Sequence, residues 1–462
     1  MEILNKKIDE LKEEIVKSTQ EICRIKSVEG EPREGMPFGE GVAEALDYAL
    51  KLSERLGFKT ANLDGYVGYA EYGEGEDYVA VLGHLDVVPE GDGWIYSPYA
   101  AEIHDGKIYA RGTMDDKGPI IAALYGLYAI KELGIKLNKR VRIIFGTNEE
   151  TGSKEIGYYL SKEKPPVLGF TPDAEFPLIY AEKGLTVFDI VKDFKRKPNN
   201  IKVEYIKGGN RPNMVPDYCE AKIKGDLEYI KDVVLKHIEE TGHKIEFVVE
   251  EDAMIIKSYG VSAHGSTPEL GKNAVMQMIN LLAKMNIDDS DVKDFIIFFD
   301  KYVGFETDGR SFGVYLKDEP SGKLSFNVGT IELNEDGVRV GLNLRYPVTF
   351  KLDDMMNPFN ERIKEIGIRV ENFEHQAPLY FSKEHELIKK LMKVYDDYVG
   401  KRNEPIAIGG GTYAKEMPNT VAFGPLFPGR EDVVHQANEY ISIEDLIACA
   451  KIYANAIYEL AI

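Results

Sequence analysis

The chain has 462 residues, and its 78 acidic and 57 basic side chains give a formal net charge of −21. A chain with this negative charge repels the phosphate backbone of nucleic acids, which argues against a nucleic-acid partner. Hydrophobic residues make up 44% of the sequence, which excludes disorder as the dominant state and is sufficient for the cores of two or three domains.

Membrane insertion, export and disulfide cross-linking are not expected either. No apolar run reaches the ~18 residues of a membrane span, and the N-terminal segment lacks the apolar core of a signal peptide. The three cysteines, Cys23, Cys219 and Cys449, are an odd number without a CxxC pair. We therefore expect a soluble protein of the reducing cytoplasm, without a membrane partner.

Strand and helix signals alternate in the first part of the chain. Apolar residues at near-helical spacing from Ile3 to about Lys26 predict a surface helix. Three β-branched runs, within 78–88, 140–150 and 166–175, predict buried strands. In 117–134, a proline near the start and a glycine at the end of an apolar stripe indicate a crossover helix. This alternation predicts a mostly parallel α/β sheet.

The pattern changes after about Leu185 to short alternating strands and hairpins, one of them with its turn at Asn334–Gly337. This insertion is long enough to contain two similar parts. From residue 379 strands and helices alternate again, ending in a helix from Ile443. We predict an α/β catalytic domain in two parts, residues 1–184 and 379–462, with an inserted α+β lid domain, residues 185–378.

Histidines and acids follow the predicted strands, where open α/β sheets bind ligands. Borderline divalent cations accept imidazole nitrogens and carboxylate oxygens, and two cations ~3.5 to 4 Å apart can share a carboxylate and activate water. Of two adjacent glutamates, one can bind metal while the other accepts a proton. These side chains are His84 and Asp86 in HLDVVP, Asp115 and Asp116 in ARGTMDDKGP, Glu149 and Glu150 in GTNEETGS, Asp173 in FTPDAEFP, and His435 in VVHQANEY.

Each of these residues also has an ordinary structural interpretation. His84 alone could be a core or surface histidine, and Asp173 could be a turn residue. The glutamate pair could be the first-turn acids of a helix, and Asp116 could be a helix N-cap. The occurrence of the whole set after strands favours the metal site.

The order of the motifs resembles a known family. The chain contains, in this order, HLDVVP, RGTMDDKGP, NEETGS, TPDAEFP, GGNRPNMVPD, SAHGSTPELGKNA, LNLRYP and HQANEY. This series resembles the dinuclear-zinc peptidases and deacylases that include aminoacylase and succinyl-diaminopimelate desuccinylase. Within that family it is most similar to the bacterial Xaa-His dipeptidases of the carnosinase type, called dipeptidase V.

The resemblance implies two bound divalent cations, zinc first, with manganese or cobalt as alternatives. It makes Glu149 the general base and Asp86 the acid that orients the first histidine ligand. In the family the peptide bond after the bridging aspartate is typically cis, which here is the bond between Asp115 and Asp116. The implied metal ligands are His84, Asp115 as the bridge, Glu150, Asp173 and His435.

The resemblance also assigns residues of the inserted domain. His264 would polarise the scissile carbonyl, and Asn213 and Arg345 would hold the substrate, with the planar guanidinium gripping a carboxylate. Asn213 could instead be a turn former, and Arg345 could pair with a surface acid. The segment GGGTYAK, with Gly410 and Gly411, resembles the family's loop for the substrate's C-terminal carboxylate.

The implied function is hydrolysis of short peptides, above all dipeptides with a free N-terminus, including Xaa-His or carnosine-like ones. A metal-bridged hydroxide would attack the carbonyl while Glu149 takes its proton and passes it to the leaving amine. The alternative is an N-acyl amino acid amidohydrolase with the same chemistry, and a third hypothesis is a binding protein without catalysis. The large insertion favours a monomer over the homodimers that relatives with smaller lids form.

Overall fold

The computed structural model describes all 462 residues and divides into two compact units. The first unit consists of Met1–Tyr180, Phe381–Ile406 and Gly411–Ile462, and the second of Ala181–Tyr380 and Ala407–Gly410. The second unit is therefore inserted in the chain of the first. Its last four residues lie in the segment that the sequence pattern assigns to the catalytic domain.

The helices agree with the sequence pattern except at the N-terminus. The predicted first helix is two helices, because Leu11 lies between them with φ −89° and ψ 1°. The last helix begins at Ile443 as predicted, where Ser442 Oγ accepts the N–H of Asp445. None of the helices is both long and apolar enough to cross a membrane. They are α1 (Glu2–Glu10), α2 (Lys12–Cys23), α3 (Glu40–Arg55), α4 (Lys117–Glu132), α5 (Lys154–Lys162), α6 (Leu227–Thr241), α7 (Ala274–Leu282), α8 (Asp291–Tyr302), α9 (Leu352–Lys364), α10 (Glu386–Val399) and α11 (Ile443–Ala461).

The strands vary from two to ten residues in length. In chain order they are β1 (Lys59–Leu63), β2 (Val67–Tyr72), β3 (Tyr78–His84), β4 (Glu102–His104), β5 (Lys107–Tyr109), β6 (Arg140–Gly146), β7 (Leu168–Thr171), β8 (Ala174–Glu175), β9 (Ile179–Glu182), β10 (Gly184–Asp193), β11 (Lys202–Gly208), β12 (Tyr218–Lys224), β13 (Lys244–Val249), β14 (Met254–Tyr259), β15 (Lys317–Asp318), β16 (Gly322–Lys323), β17 (Ser325–Asn334), β18 (Gly337–Tyr346), β19 (Arg369–Gln376), β20 (Leu379–Tyr380), β21 (Ile406–Ile408), β22 (Thr420–Ala422), β23 (Pro425–Leu426) and β24 (Tyr440–Ser442). The three predicted buried strands are present as β3, β6 and β7.

The main sheet of the first unit has the strand order β1-β2-β6-β3-β7-β22-β9. In it β3 runs parallel to β6 and β7, and β7 runs parallel to β22. The outer pairs β1–β2, β2–β6 and β22–β9 are antiparallel, so the sheet is mixed and only its centre is parallel. Every residue of β3 is buried, as expected for a central strand covered on both faces. The carboxyl ends of these parallel strands lie at one edge of the sheet, where His84 aligns with Gly146.

Two apolar helices of the first unit, α4 and α11, pack closely together. Almost all of α4 is buried, and so is most of α11. A Cβ at Gly126 of α4 would lie 2.9 Å from the backbone nitrogen of Ala454 in α11, so glycine permits the close approach. Since α4 is the predicted crossover between β3 and β6, this packing fixes the chain that begins with the Asp115–Asp116 turn.

The second unit is built on an eight-stranded antiparallel sheet with the order β13-β14-β12-β11-β17-β18-β10-β19. Burial alternates along β12, which indicates that one face of the sheet is covered. One hydrophobic core joins that face to α6, α7, α8 and α9. The predicted α/β fold class, with a catalytic part and an α+β lid, is confirmed.

The strand order of this sheet has an internal twofold pattern. From the centre outwards, β11-β12-β14-β13 on one side corresponds to β17-β18-β10-β19 on the other. Each half has a central hairpin and then a helix, α6 or α9, that leads to the edge strand. The halves meet where β11 pairs with β17, with Tyr205 opposite Asn334 and Gly208 opposite Ile331.

Candidate metal centre and substrate-binding residues

Acidic or histidine residues lie at, or just after, the carboxyl ends of three parallel strands of the first unit. His84 is the last residue of β3, Glu149 and Glu150 follow β6, and Asp173 follows β7. Because parallel strands end at the same edge of a sheet, these residues come together although they are far apart in the sequence. His435 reaches the same place from the segment before α11.

Asp115 lies between the two histidines of the cluster. Its Oδ1 is 2.9 Å from Nε2 of His84, and its Oδ2 is 2.9 Å from Nε2 of His435. Oδ2 of Asp173 is 3.8 Å from the first imidazole, and Oε2 of Glu150 is 3.2 Å from the second. Two groups result, His84–Asp115–Asp173 and Asp115–Glu150–His435, in each of which the ligand atoms lie within 4.8 Å of one another.

Burial and crowding disfavour the ionised form of several of these acids. Burial raises the pKa of Glu149 to about 9, and repulsion from Asp173 adds to this. Burial also raises the pKa of Glu150 and that of Asp173, and the negative charge of Asp115 adds to both shifts. Burial would raise the pKa of Asp115 too, but hydrogen bonds to the two histidines outweigh it and lower that pKa. Bound cations would relieve this repulsion.

The donor atoms of the cluster fit a pair of divalent cations. Imidazole nitrogens and carboxylate oxygens suit zinc, manganese and cobalt, and one carboxylate oxygen of Asp115 is available to each group. Glu149 forms a further group with His84 and Glu150, but it belongs to neither of the groups that share Asp115. It is therefore the acid of the cluster best suited to exchange a proton.

Asp86 contacts both the first histidine and the glutamate pair. Its backbone oxygen lies 3.0 Å from Nδ1 of His84, and its Oδ1 lies 3.5 Å from the same atom. Its two carboxylate oxygens accept the backbone N–H groups of Glu149 and Glu150 at 3.1 and 3.0 Å. Asp86 thus orients the imidazole of His84 chiefly through its backbone carbonyl, while its carboxylate holds the turn that carries the two glutamates.

Asp116 does not act as the helix cap that its position allows. It precedes α4, but its side chain accepts no capping hydrogen bond from that helix. Instead its Oδ2 accepts the backbone N–H of His84 at 3.2 Å, while Oδ1 is buried without a partner. Asp116 therefore occupies the N-cap position of α4, but its side chain does not make the capping hydrogen bond. The Asp115–Asp116 peptide bond is cis, as the resemblance implies.

A buried ion pair to which the sequence pattern gives no role supports the cluster. Nη1 of Arg111 lies 2.7 Å from Oε2 of Glu439, and both side chains are almost fully buried. Oε1 of Glu439 accepts the backbone N–H groups of Met114 at 2.9 Å and Asp115 at 3.2 Å. Since Glu439 follows His435 by four residues, it connects the segments of two candidate ligands. In the sequence, the only indication of this role is that Glu439 belongs to the HQANEY motif.

The second unit brings Asn213 and His264 onto neighbouring segments. The N–H of Gly265 donates to the backbone oxygen of Asn213 at 2.8 Å, and Met214 forms an isolated β-bridge with His264. Asn213 also lies in a turn, as its alternative interpretation requires. Burial lowers the pKa of His264, and the charge of Arg345 adds to this shift, so the imidazole is kept neutral.

Arg345 is buried without an acidic partner. Its side chain is 2% exposed, its Nε donates to Oδ1 of Asn343 at 2.9 Å, and its Nη1 donates to the backbone oxygen of Gly409 at 2.7 Å. Burial alone lowers its pKa to about 10. The alternative interpretation, in which Arg345 pairs with a surface acid, is therefore wrong. A Cβ at Gly410 would lie 4.0 Å from its Nη1, whereas Gly411 belongs to the first unit.

Comparison with known proteins identifies the family. The model of peptidase family M20/M25/M40 matches residues 80–459. The chain belongs to this peptidase family. It is also 42% identical to the putative dipeptidase YtjP of Bacillus subtilis (strain 168), over 97% of this chain and 98% of that protein. The predicted family and the predicted enzyme class, a peptide hydrolase, are confirmed.

Solved structures of M20 peptidases share the fold of this chain. Aminoacylhistidine dipeptidase from Vibrio alginolyticus aligns with a TM-score of 0.59 and 14% identity, over 96% of this M20 chain and 95% of that one. The YXEP protein of Bacillus subtilis, a dinuclear metal binding peptidase from the M20 family, aligns with a TM-score of 0.50 and 11% identity, over 98% and 99%. At these identities the likeness concerns the fold.

Proposed function

We propose that this M20 peptidase hydrolyses dipeptides with a free N-terminus, including Xaa-His and carnosine-like ones, with two divalent cations at the acidic cluster. The observation that carries the proposal is that two three-ligand groups share Asp115. The names of the relatives agree with it, because YtjP is a putative dipeptidase and a structural neighbour is an aminoacylhistidine dipeptidase. Another neighbour is a dinuclear metal binding peptidase.

The cations would be held by the five residues of the two groups. His84 and Asp173 would hold one ion, Glu150 and His435 the other, and Asp115 both. When bound, the pair would supply Lewis-acid activation of water and of the scissile carbonyl. Zinc is our first choice, and manganese and cobalt accept the same donors.

Glu149 would act as the general base and then as the general acid. It would accept a proton from the attacking water and return it to the leaving nitrogen. Its place supports this role, because Glu149 belongs to neither of the two groups that share Asp115. Cations bound beside it would oppose the effect of burial and favour the ionised carboxylate that a base requires. The hydrogen bonds of Asp86 to the backbone of Glu149 and Glu150 would keep the two side chains in their separate roles.

Residues of the second unit would recognise the substrate. The buried guanidinium of Arg345 lacks an acidic partner and would bind the terminal carboxylate of a peptide, beside the amide of Gly410 in the same unit. The neutral imidazole of His264 would donate a hydrogen bond to the scissile carbonyl, and Asn213 would contact the substrate beside it. A small peptide, rather than a nucleic acid or a membrane, is thus the partner that we propose, for a cytoplasmic monomer.

Hydrolysis of matched substrates tests the proposal against the deacylase alternative. The metal-loaded enzyme should hydrolyse Ala-His and carnosine, whose amino termini are free, faster than N-acetyl-histidine and N-acetyl-alanine. Faster hydrolysis of the N-acetyl amino acids would establish the amidohydrolase instead. Hydrolysis of neither class, with zinc, manganese and cobalt each supplied, would contradict both.

A further inference from the structure

The second unit contains a cavity of about 710 Å³ that Asn213, His264 and Arg345 do not line. A volume of this size is typical of sites for small molecules. The cavity lies between the C-terminal end of α6, the start of α7 and the segment that leads into and out of the His264 loop. It is therefore separate from the residues to which we assign substrate binding.

The inner wall of the cavity combines apolar side chains with amides. Val215, Met276 and Val328 are at most 3% exposed and provide apolar surface. Asn327 is 1% exposed, and its Oδ1 has no hydrogen-bond partner. This oxygen is covered by protein atoms, so Asn327 contributes to the wall without offering the oxygen to a ligand. Gln277, also almost fully buried, adds a second amide.

The outer wall carries charges of both signs. Lys244 and Lys272 supply cations, and Glu269 supplies an anion, at positions that are exposed. Phe305 is 53% exposed although its ring is apolar, and it stands on the same wall. A ligand that satisfies this lining needs a carboxylate, a hydrogen-bond-donating cation and an apolar group within one small molecule.

We infer that this cavity binds a free α-amino acid with an apolar side chain. Its carboxylate would pair with the lysine ammonium groups, of which Lys272 is the nearer to the His264 loop in sequence. Its ammonium group would pair with Glu269, and its side chain would contact Met276.

The walls of the cavity connect directly to the two segments that carry Asn213 and His264. Nδ2 of Asn327 donates to the backbone oxygens on either side of Asn213, those of Pro212 at 2.8 Å and Met214 at 2.9 Å. Val261 and Lys272 close the loop that contains His264 through reciprocal backbone hydrogen bonds of 2.9 and 2.8 Å. A bound amino acid would therefore restrain both segments.

Through this connection, a reaction product bound in the cavity would regulate the activity of the enzyme. Free amino acids are the products of dipeptide hydrolysis, so the ligand class and the product class coincide. The effect on turnover rests on the proposed function, whereas binding itself does not. We expect the bound amino acid to change kcat/KM for a dipeptide that does not itself release the added amino acid.

The methyl group of Met276 provides a local measure of binding that does not depend on turnover. The metal-loaded full chain is labelled with methyl-¹³C methionine, the Met276 resonance is assigned from the Met276→Leu variant, and L-leucine is added. We expect a saturable shift with a Kd of about 1 mM, and no shift with the uncharged N-acetyl-leucine amide. No shift of Met276 up to about 50 mM L-leucine would overturn the inference.

Three variants decide whether the shift reports this cavity. Val261→Trp should fill the cavity and remove the shift, and Lys272→Glu should weaken binding about tenfold. Lys236→Glu, at an exposed position of α6 outside the cavity, is the matched control and should bind normally. A Met276 shift that persists in Val261→Trp would overturn the inference. Normal binding in Lys272→Glu would overturn the assigned carboxylate position.

Turnover is then measured with Ala-His at saturating L-leucine. A change in kcat/KM in the wild type that is absent in Val261→Trp supports product regulation, and an unchanged kcat/KM overturns that part. Failure of the enzyme to hydrolyse any dipeptide would contradict the proposed function only. The Met276 titration still decides the binding site in that case.

Discussion

The acidic cluster of the first unit and the site of Arg345 in the second unit both bury charged groups, but the two charges are of opposite sign. In the first, burial raises the pKa of Glu149, Glu150 and Asp173 and so disfavours their negative charge. In the second, burial lowers the pKa of Arg345 and disfavours its positive charge. One site is thus suited to receive cations and the other to receive an anion, so variants should separate metal binding from carboxylate recognition.

The largest expected effect separates the two glutamates of the acidic cluster. Glu149→Gln should lower kcat about 10³-fold, because the general base is lost, while the bound metal content stays unchanged. Glu150→Gln should lose bound metal as well as turnover, because Glu150 belongs to a group that shares Asp115. Activity assays and elemental analysis of both variants measure this. The exposed Glu361→Gln is the control, and near-normal turnover in Glu149→Gln would contradict the assigned role.

The second prediction tests the anion site. Arg345→Ala should lower kcat/KM roughly 100-fold for a dipeptide with a free carboxylate, but should have little effect on the poorer hydrolysis of its C-terminal amide. Metal content should not change. Arg339→Ala is the matched control on the same strand, because Arg339 already pairs with Asp189 and Glu371. An equal loss for the acid and the amide would show that Arg345 does not read the carboxylate.

The third prediction concerns the support of the acidic cluster. Glu439→Ala removes the acceptor of the Met114 and Asp115 N–H groups, and should weaken metal binding by roughly 10- to 100-fold in calorimetric titration. It also leaves Arg111 buried without its partner, so the free energy of unfolding should fall by about 3 kcal/mol. Glu431→Ala, exposed and close in sequence, should do neither. An unchanged metal affinity in Glu439→Ala would contradict this support.

The smallest expected effect is on thermal stability. Metal at about 100 times its Kd should stabilise the folded chain by about 2.7 kcal/mol and raise the unfolding temperature by several degrees. Arg345→Ala should show the same rise, and Glu150→Gln should show little. Differential scanning calorimetry with and without metal measures both variants. A metal-dependent rise that vanished in Arg345→Ala would remove the separation between the two sites.

The sequence predicts the parts of the fold that depend on local pattern. The hairpin of β17 and β18 is present, with Glu335 and Asp336 between the strands, because its turn residues are a local property of the sequence. Burial alternates only in the parts of the two strands next to the turn, and the rest of both strands is buried on both faces. The side chains that follow β3, β6 and β7 could be expected to converge because parallel strands end at one edge. The family resemblance, rather than periodicity, selected Asp115 as the residue shared by both groups.

The contacts that could not be predicted from the sequence are those between groups that lie far apart in the chain. Asp116 has the residue type and position of an N-cap, but the buried N–H of His84 takes its carboxylate instead. The role of Glu439 depends on backbone groups more than 300 residues earlier in the chain, and Asp115 precedes it by 324 residues. The lack of an acid near Arg345 is likewise a property of its three-dimensional surroundings.

The seam between β11 and β17 joins two similarly ordered halves by backbone hydrogen bonds within one polypeptide. Had the halves belonged to separate molecules, the fraction of paired edges would fall as the protein was diluted. Covalent linkage replaces that dependence with a fixed effective concentration, which is set by the connecting chain. The pairing of β11 with β17 can therefore persist at the nanomolar enzyme concentrations of a kinetic assay.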